Sequence, residues 1–220
     1  MCYSLEASIT AGVGLGLAGF GMVSKAISFD RRMLLFAAFP LVFALHQFTE
    51  AAVWWTVDDP KAGQPYRYLY TLIAFALWPV LTPYAAAHAE LDPERKRLWR
   101  MLGGVGVILA VYLVAKLAGA GGIDLKIVRH ALAYDPLFER PPLLAHLLYV
   151  VLTVVPLVCS ARRGVALFGW AVFATFVFAI GENRPAWYSL WCLAAAVFSL
   201  MLAFAIEEQR SPAPELETQG

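Results

Sequence analysis

Charge is what this sequence has least of. Only 15% of its 220 residues are Asp, Glu, Lys or Arg, and 60% are hydrophobic. Soluble domains carry roughly a quarter charged residues, so an ordinary soluble domain is excluded. The formal net charge of +1, with basic residues confined to short loops, gives no reason to expect nucleic acid as a partner. Cysteine is scarce as well. Cys2, Cys159 and Cys192 provide neither a disulfide framework nor a paired zinc-knuckle spacing. There is no Ser-His-Asp spacing and no Gly-rich phosphate loop. No inverted repeat is visible and the inner half holds few charges, which argues against an active transporter. The last apolar segment has no Lys for a Schiff base, which argues against a retinal protein.

What the chain has instead is long apolar runs. Segments of about 20 apolar residues cross a bilayer as helices. Seven occur, at 5–27, 33–56, 67–89, 98–118, 142–160, 164–181 and 186–206. The expected fold is an all-α integral membrane protein of seven transmembrane helices. It forms one domain over 1–207, followed by a disordered cytoplasmic tail at 208–220. The first Lys or Arg is Lys25, after the first segment, so no cleaved signal peptide is expected. Gly12 and Gly16 make a small-xxx-small pair that lets a neighbouring helix approach. Trp78-Pro79 and Thr82-Pro83 should bend the third helix, and such bends can shape a cavity.

The longest loop runs from 119 to 140. Ile123, Leu125 and Ile127 alternate there with Asp124 and Lys126, a period-two pattern that predicts a short β-hairpin-like element between helices four and five. Lys25, Arg31, Arg32, Arg95, Lys96, Arg97, Arg100, Arg162, Arg163 and Arg210 fall on one side of the segments. Lys61, Arg67, Lys126, Arg129, Arg140 and Arg184 fall on the other. The positive-inside bias therefore sets the N-terminus outside, the C-terminus inside and the hairpin on the outer face. Trp54, Trp55 and Trp187 fit an outer aromatic belt.

The segment from Phe39 to Trp55 holds the chemistry. It is apolar enough for lipid yet contains His46, Gln47 and Glu50. His46 and Glu50 are four residues apart and share one helix face. A carboxylate at membrane depth is a functional candidate by default. In the expected orientation the outer half also gathers Cys2, His130, His146, Glu182, Asn183, Ser189 and Cys192. One reading makes this a metal centre. His46, His130 and His146 would be ligands of zinc or another transition metal, and Glu50 and Cys2 the catalytic groups. Gln47, Glu182, Asn183, Ser189 and Cys192 would line a ligand pocket. A metal there would activate water for hydrolysis at a lipid headgroup, making the protein a metal-dependent membrane hydrolase. The competing reading is a non-catalytic sensor or transporter for a small molecule or metal ion. The bland reading has each His satisfied separately by a neighbouring helix or interfacial water, and Cys192 as a small apolar filler. Removal of Met1 would leave Cys2 with an amine and a thiol on one residue, a chelator or nucleophile.

Met1-Cys2-Tyr3-Ser4, His46-Gln47-Phe48-Thr49-Glu50 and Ser189-Leu190-Trp191-Cys192 together resemble a bacterial membrane-protein family of unknown function. Its members open with Met-Cys-Phe-Ser, carry Gln-Gln-x-x-Glu late in helix two, and have Ser-x-Trp-Cys in the last helix. His46 stands where that family has Gln. The resemblance covers residues 1–206. It implies a seven-helix protein of the bacterial inner membrane, and it brings no activity with it.

Overall fold

The computed structural model describes residues 4–128, 130–136, 142–182 and 187–207. Helices dominate, joined by one small antiparallel hairpin. In chain order the helices are α1 (Leu5–Phe29), α2 (Arg31–Trp55), α3 (Pro60–Ala89) and α4 (Pro93–Ala118). The hairpin strands β1 (Ile123–Val128) and β2 (Ala131–Pro136) follow. After them come α5 (Leu143–Val158), α6 (Arg163–Glu182) and α7, which runs from Trp187–Phe198 through a 3-10 turn into Leu202–Glu207.

Six helices are long and apolar enough to cross a membrane. The expected fifth span is shorter: α5 has 16 residues, against the ~20 that a bilayer core asks for. The tail at 208–220 lies outside the described residues.

Helix starts follow local chemistry. Asp59 accepts from the main-chain N–H groups of Lys61 (3.1 Å) and Ala62 (3.0 Å), with Pro60 at the first helical position. Asp92 does the same for Glu94 and Arg95, both at 2.9 Å, with Pro93 next. These Asp-Pro caps open α3 and α4 earlier than the apolar runs at 67 and 98 suggest. They therefore begin each helix with a polar turn.

α2 and α3 occupy the middle of the bundle, and α1 and α4 flank them with much of their surface uncovered by protein. α1 lies on α2 along its glycines. A Cβ on Gly12 would meet the Phe48 ring at 2.9 Å, and one on Gly19 would meet the Leu41 main-chain N at 2.9 Å. Gly14 and Gly21 face open space. The small-residue stripe is thus a packing seam within the bundle.

α3 is irregular around its prolines. Ile73–Leu77 widens into a π-helical turn just before Pro79, and the Tyr149 hydroxyl from α5 donates to the Ala74 carbonyl at 2.6 Å. Pro83 has no N–H to give the Pro79 carbonyl one turn earlier. α4 packs on that bare carbonyl through Gly106, where an added Cβ would stand 2.1 Å from the Pro79 oxygen. A cavity of about 30 Å³ lies beside Trp78 and Thr82 of this helix, with a wholly apolar wall formed by residues including Phe43, Tyr149, Phe168 and Trp191.

The period-two reading of the loop holds. β1 and β2 pair antiparallel with Leu125 opposite Tyr134 and Ile127 opposite Leu132. His130 makes the turn with φ 62°, a left-handed conformation that His adopts more readily than bulky residues. The hairpin is held to α3. Gln64 bonds both main-chain groups of Ile123, at 3.0 and 3.2 Å, and the Tyr68 hydroxyl reaches the Ala120 carbonyl at 3.0 Å.

The opposite end is fastened by charge. The Asp30 carboxylate, between α1 and α2, accepts from Arg32 Nε at 2.8 Å and from Arg162 Nη2 at 2.6 Å. Arg162 precedes α6, so the pair joins the first two helices to the start of α6. Burial opposes the charged form of Asp30, but the hydrogen bonds from Arg32 and Arg162 outweigh it and hold the carboxyl below the usual range. Lys25 and Glu207 form a second ion pair between α1 and α7.

Candidate functional site

Glu50 is fully buried at the hairpin end of α2. The Ser189 hydroxyl on α7 donates to its Oε1 at 2.8 Å, and Gln47 Nε2, one turn back on α2, approaches Oε2 at 3.4 Å. Gln47 Oε1 is buried without a partner. Cys192 lies one turn beyond Ser189, buried, within electrostatic reach of the Glu50 carboxylate. Two helices thus bring four of the expected residues together: Glu50, Gln47, Ser189 and Cys192. Ser189 and Cys192 share an α7 face by their three-residue spacing. The set offers an acidic acceptor, an amide, a hydroxyl and a thiol, with Cys192 also lining the apolar cavity.

The three histidines do not form a cluster. His46 is fully buried and stacks on Tyr70 of α3, ring centroids 4.2 Å apart and planes at 28°. Neither of its ring nitrogens makes a well-formed hydrogen bond, and it lies in electrostatic contact with the Tyr70 main chain. Tyr70 stacks in turn on Tyr134 of β2 at 4.1 Å and 8°. His130 is at the hairpin turn, and His146 Nδ1 sits 3.2 Å from the Pro142 carbonyl at the start of α5. Among the described residues no group of three or more His, Cys, Asp and Glu is placed to hold a metal ion. Cys2 and Asn183 lie outside the described residues, as does the side chain of Glu182.

Residues 1–217 match a family of unknown function, DUF6629. The chain belongs to that family. No curated protein matches it, and no solved structure does.

Two groups at this end were not expected from the sequence. Tyr70 links His46 to the hairpin. Arg67, counted as a loop charge, is instead on α3 and only 4% exposed. The Asp59-Pro60 cap was the signal. It starts the helix at 60 and places Gln64, Arg67 and Tyr68 on one face, toward the hairpin.

Proposed function

We propose that this DUF6629 protein is a multi-pass protein of the bacterial inner membrane, N-terminus outside, that binds a small molecule at Glu50 as a sensor or transporter. The observation behind this reading is the bond from Ser189 to a carboxylate that has no exposed surface. A fully buried acid between two apolar helices is costly, and such groups mark ligand, ion or proton sites. The site suits a neutral or cationic ligand with amine or hydroxyl groups. Glu50 would accept from it, and Gln47 has a buried carbonyl oxygen still to satisfy. The apolar cavity reached through Cys192 would take a small hydrophobic part.

The test is a thermal-shift screen of purified wild-type protein against amines, alcohols and divalent metals, repeated with Glu50→Gln. Ligands that raise the melting temperature of wild type and not of the variant support the reading. Stoichiometric zinc in the purified protein, lost on His46→Ala, would overturn it in favour of the metal-dependent hydrolase. A cytoplasm-only reporter fused to the C-terminus should give signal, and a silent but well-expressed fusion would reverse the orientation.

A further inference from the structure

Arg95, Lys96, Arg97 and Arg100 crowd the first turns of α4. Arg95 has partners. It pairs with Glu90 at 3.0 Å and donates to the Cys159 carbonyl. Arg97 and Arg100 are exposed, and among the described residues neither is joined to an acid. Helical spacing puts both on one face. Trp99, Gly103 and Gly106 turn the other side of α4 into the bundle. Residues 97, 100, 101, 104, 108 and 111 fall within about 100° of one another around the helix axis. Met101, Ile108 and Val111 on that face are exposed, and Gly104 between them faces open space.

There is room beside the two arginines. With Pro93 and Met101 they line an open groove of about 530 Å³. That volume is within the range of small-molecule sites. The lining holds two cations and no acid, so it complements an anion and offers an ammonium no counter-charge. Guanidinium forks match phosphate oxygens two at a time. What continues from the groove argues for a lipid. From Met101 to Val111 the helix rises about 15 Å, half of the ~30 Å hydrocarbon core of a bilayer. That strip is apolar and uncovered, which a soluble phosphate would not use. A basic cluster at the end of a spanning helix suits anionic headgroups.

We propose that Arg97 and Arg100 hold the phosphate of an anionic phospholipid whose acyl chains lie along Met101, Ile108 and Val111. The lipid belongs to the leaflet at the Asp30 end of the bundle, since Arg95 reaches Cys159 and Arg162 nearby reaches Asp30. The site rests on the membrane reading of the helices and not on the Glu50 pocket, which is at the hairpin end.

The test is native mass spectrometry of full-length protein in a maltoside detergent. Phosphatidylglycerol and phosphatidylcholine are added together at equal concentration. Each cation near a membrane surface favours an anionic lipid by about fivefold, so two give wild type about a thirtyfold preference for phosphatidylglycerol. The double variant Arg97→Gln/Arg100→Gln should lose most of that factor. Arg163→Gln, which removes an exposed charge at the start of α6 outside the groove, should keep it. Glycerol phosphate, the headgroup chemistry without chains, should leave no adduct. Wild type alone decides if the double variant does not fold. A chain expressed outside the membrane fraction would overturn this proposal together with the membrane reading. For protein in the membrane fraction, four results would overturn the lipid site alone: equal adducts of the two lipids in wild type, an undiminished preference in the double variant, an equal loss in Arg163→Gln, or glycerol phosphate bound as well as the lipid.

Discussion

Ser189 and Glu50 are separated by 139 positions in the chain, yet one hydroxyl joins them. Each was visible in the sequence for the same reason: a polar residue inside an apolar run has to turn inward. Gln47 and Cys192 were legible on that ground too. Arg67 and Tyr70 were not, because they sit in the polar first turns of α3, where an exposed residue and a residue buried under a hairpin look alike. His46 was legible as buried, but its partner was not. A stacking ring leaves no mark on spacing, so the metal-ligand role expected for His46 with His130 and His146 had nothing in the sequence to oppose it. The Ser189 bond makes a prediction. Ser189→Ala leaves Glu50 Oε1 without that donor, and a buried acceptor that loses its donor costs about 1–3 kcal/mol. The variant should melt lower than wild type. Ser189→Thr keeps a hydroxyl and should recover most of the loss, and a Ser189→Ala protein as stable as wild type would show that the bond contributes nothing.

α3 shows why elements can be read from a sequence while their contacts cannot. Its prolines announced an irregular helix, and a π-helical turn at Ile73–Leu77 stands just before Pro79. The consequence for α4 is a matter of packing: Pro83 strips the Pro79 carbonyl of its helical donor, and only a glycine lets another helix lie over that oxygen. Gly106 is that glycine, and nothing in its neighbours Gly103 and Gly104 says which of the three has the tightest fit. Gly106→Ala should therefore destabilise the bundle by about 1–3 kcal/mol or more, the range for overpacking. Gly104, with nothing within 4 Å of an added Cβ, is the control. Gly104→Ala should be neutral, or stabilising by up to about 1 kcal/mol through helix propensity. Melting temperatures of the two variants in one detergent check the pair, and equal effects would refute the close contact. The hairpin was legible from alternation in β1 alone. In β2, Ala131, Leu132, Ala133 and Tyr134 are all buried, so no period-two signal is present there. For that strand the hairpin is covered rather than exposed at the bundle mouth. A further consequence concerns its anchor. Gln64→Ala removes the two bonds Gln64 makes to Ile123 and leaves only the Arg67 bond to its carbonyl, so amide exchange across residues 123–136 should quicken while α5 and α6 exchange as before.

For the whole molecule, helix number was readable because hydrophobic length is set by the bilayer, and only α5 falls short. How the helices are tied together at the end away from the hairpin was not readable, because Asp30, Arg32 and Arg162 look like ordinary loop charges. Their arrangement gives the protein a pH dependence whose sign can be worked out. The folded-state pKa of Asp30 is depressed by Arg32 and Arg162, against the opposing effect of burial. A depressed carboxyl contributes stability that is fully present above its unfolded pKa, about 3.9, and is lost as pH falls through the lower folded value. The protein should hold its stability at neutral pH and lose this part of it only in acid, below the ordinary carboxylate range. Asp30→Asn removes the charge at every pH. It leaves Arg162, whose side chain is 11% exposed, facing an amide. Breaking a buried pair from one side costs about 3–5 kcal/mol, so the variant should melt well below wild type at pH 7. As pH is lowered the two melting curves should draw together, because the wild-type Asp30 carboxylate becomes protonated while the variant's amide has nothing to titrate. Parallel curves from neutral to acid pH would mean that the Asp30 carboxylate does not hold α1 and α2 to the start of α6.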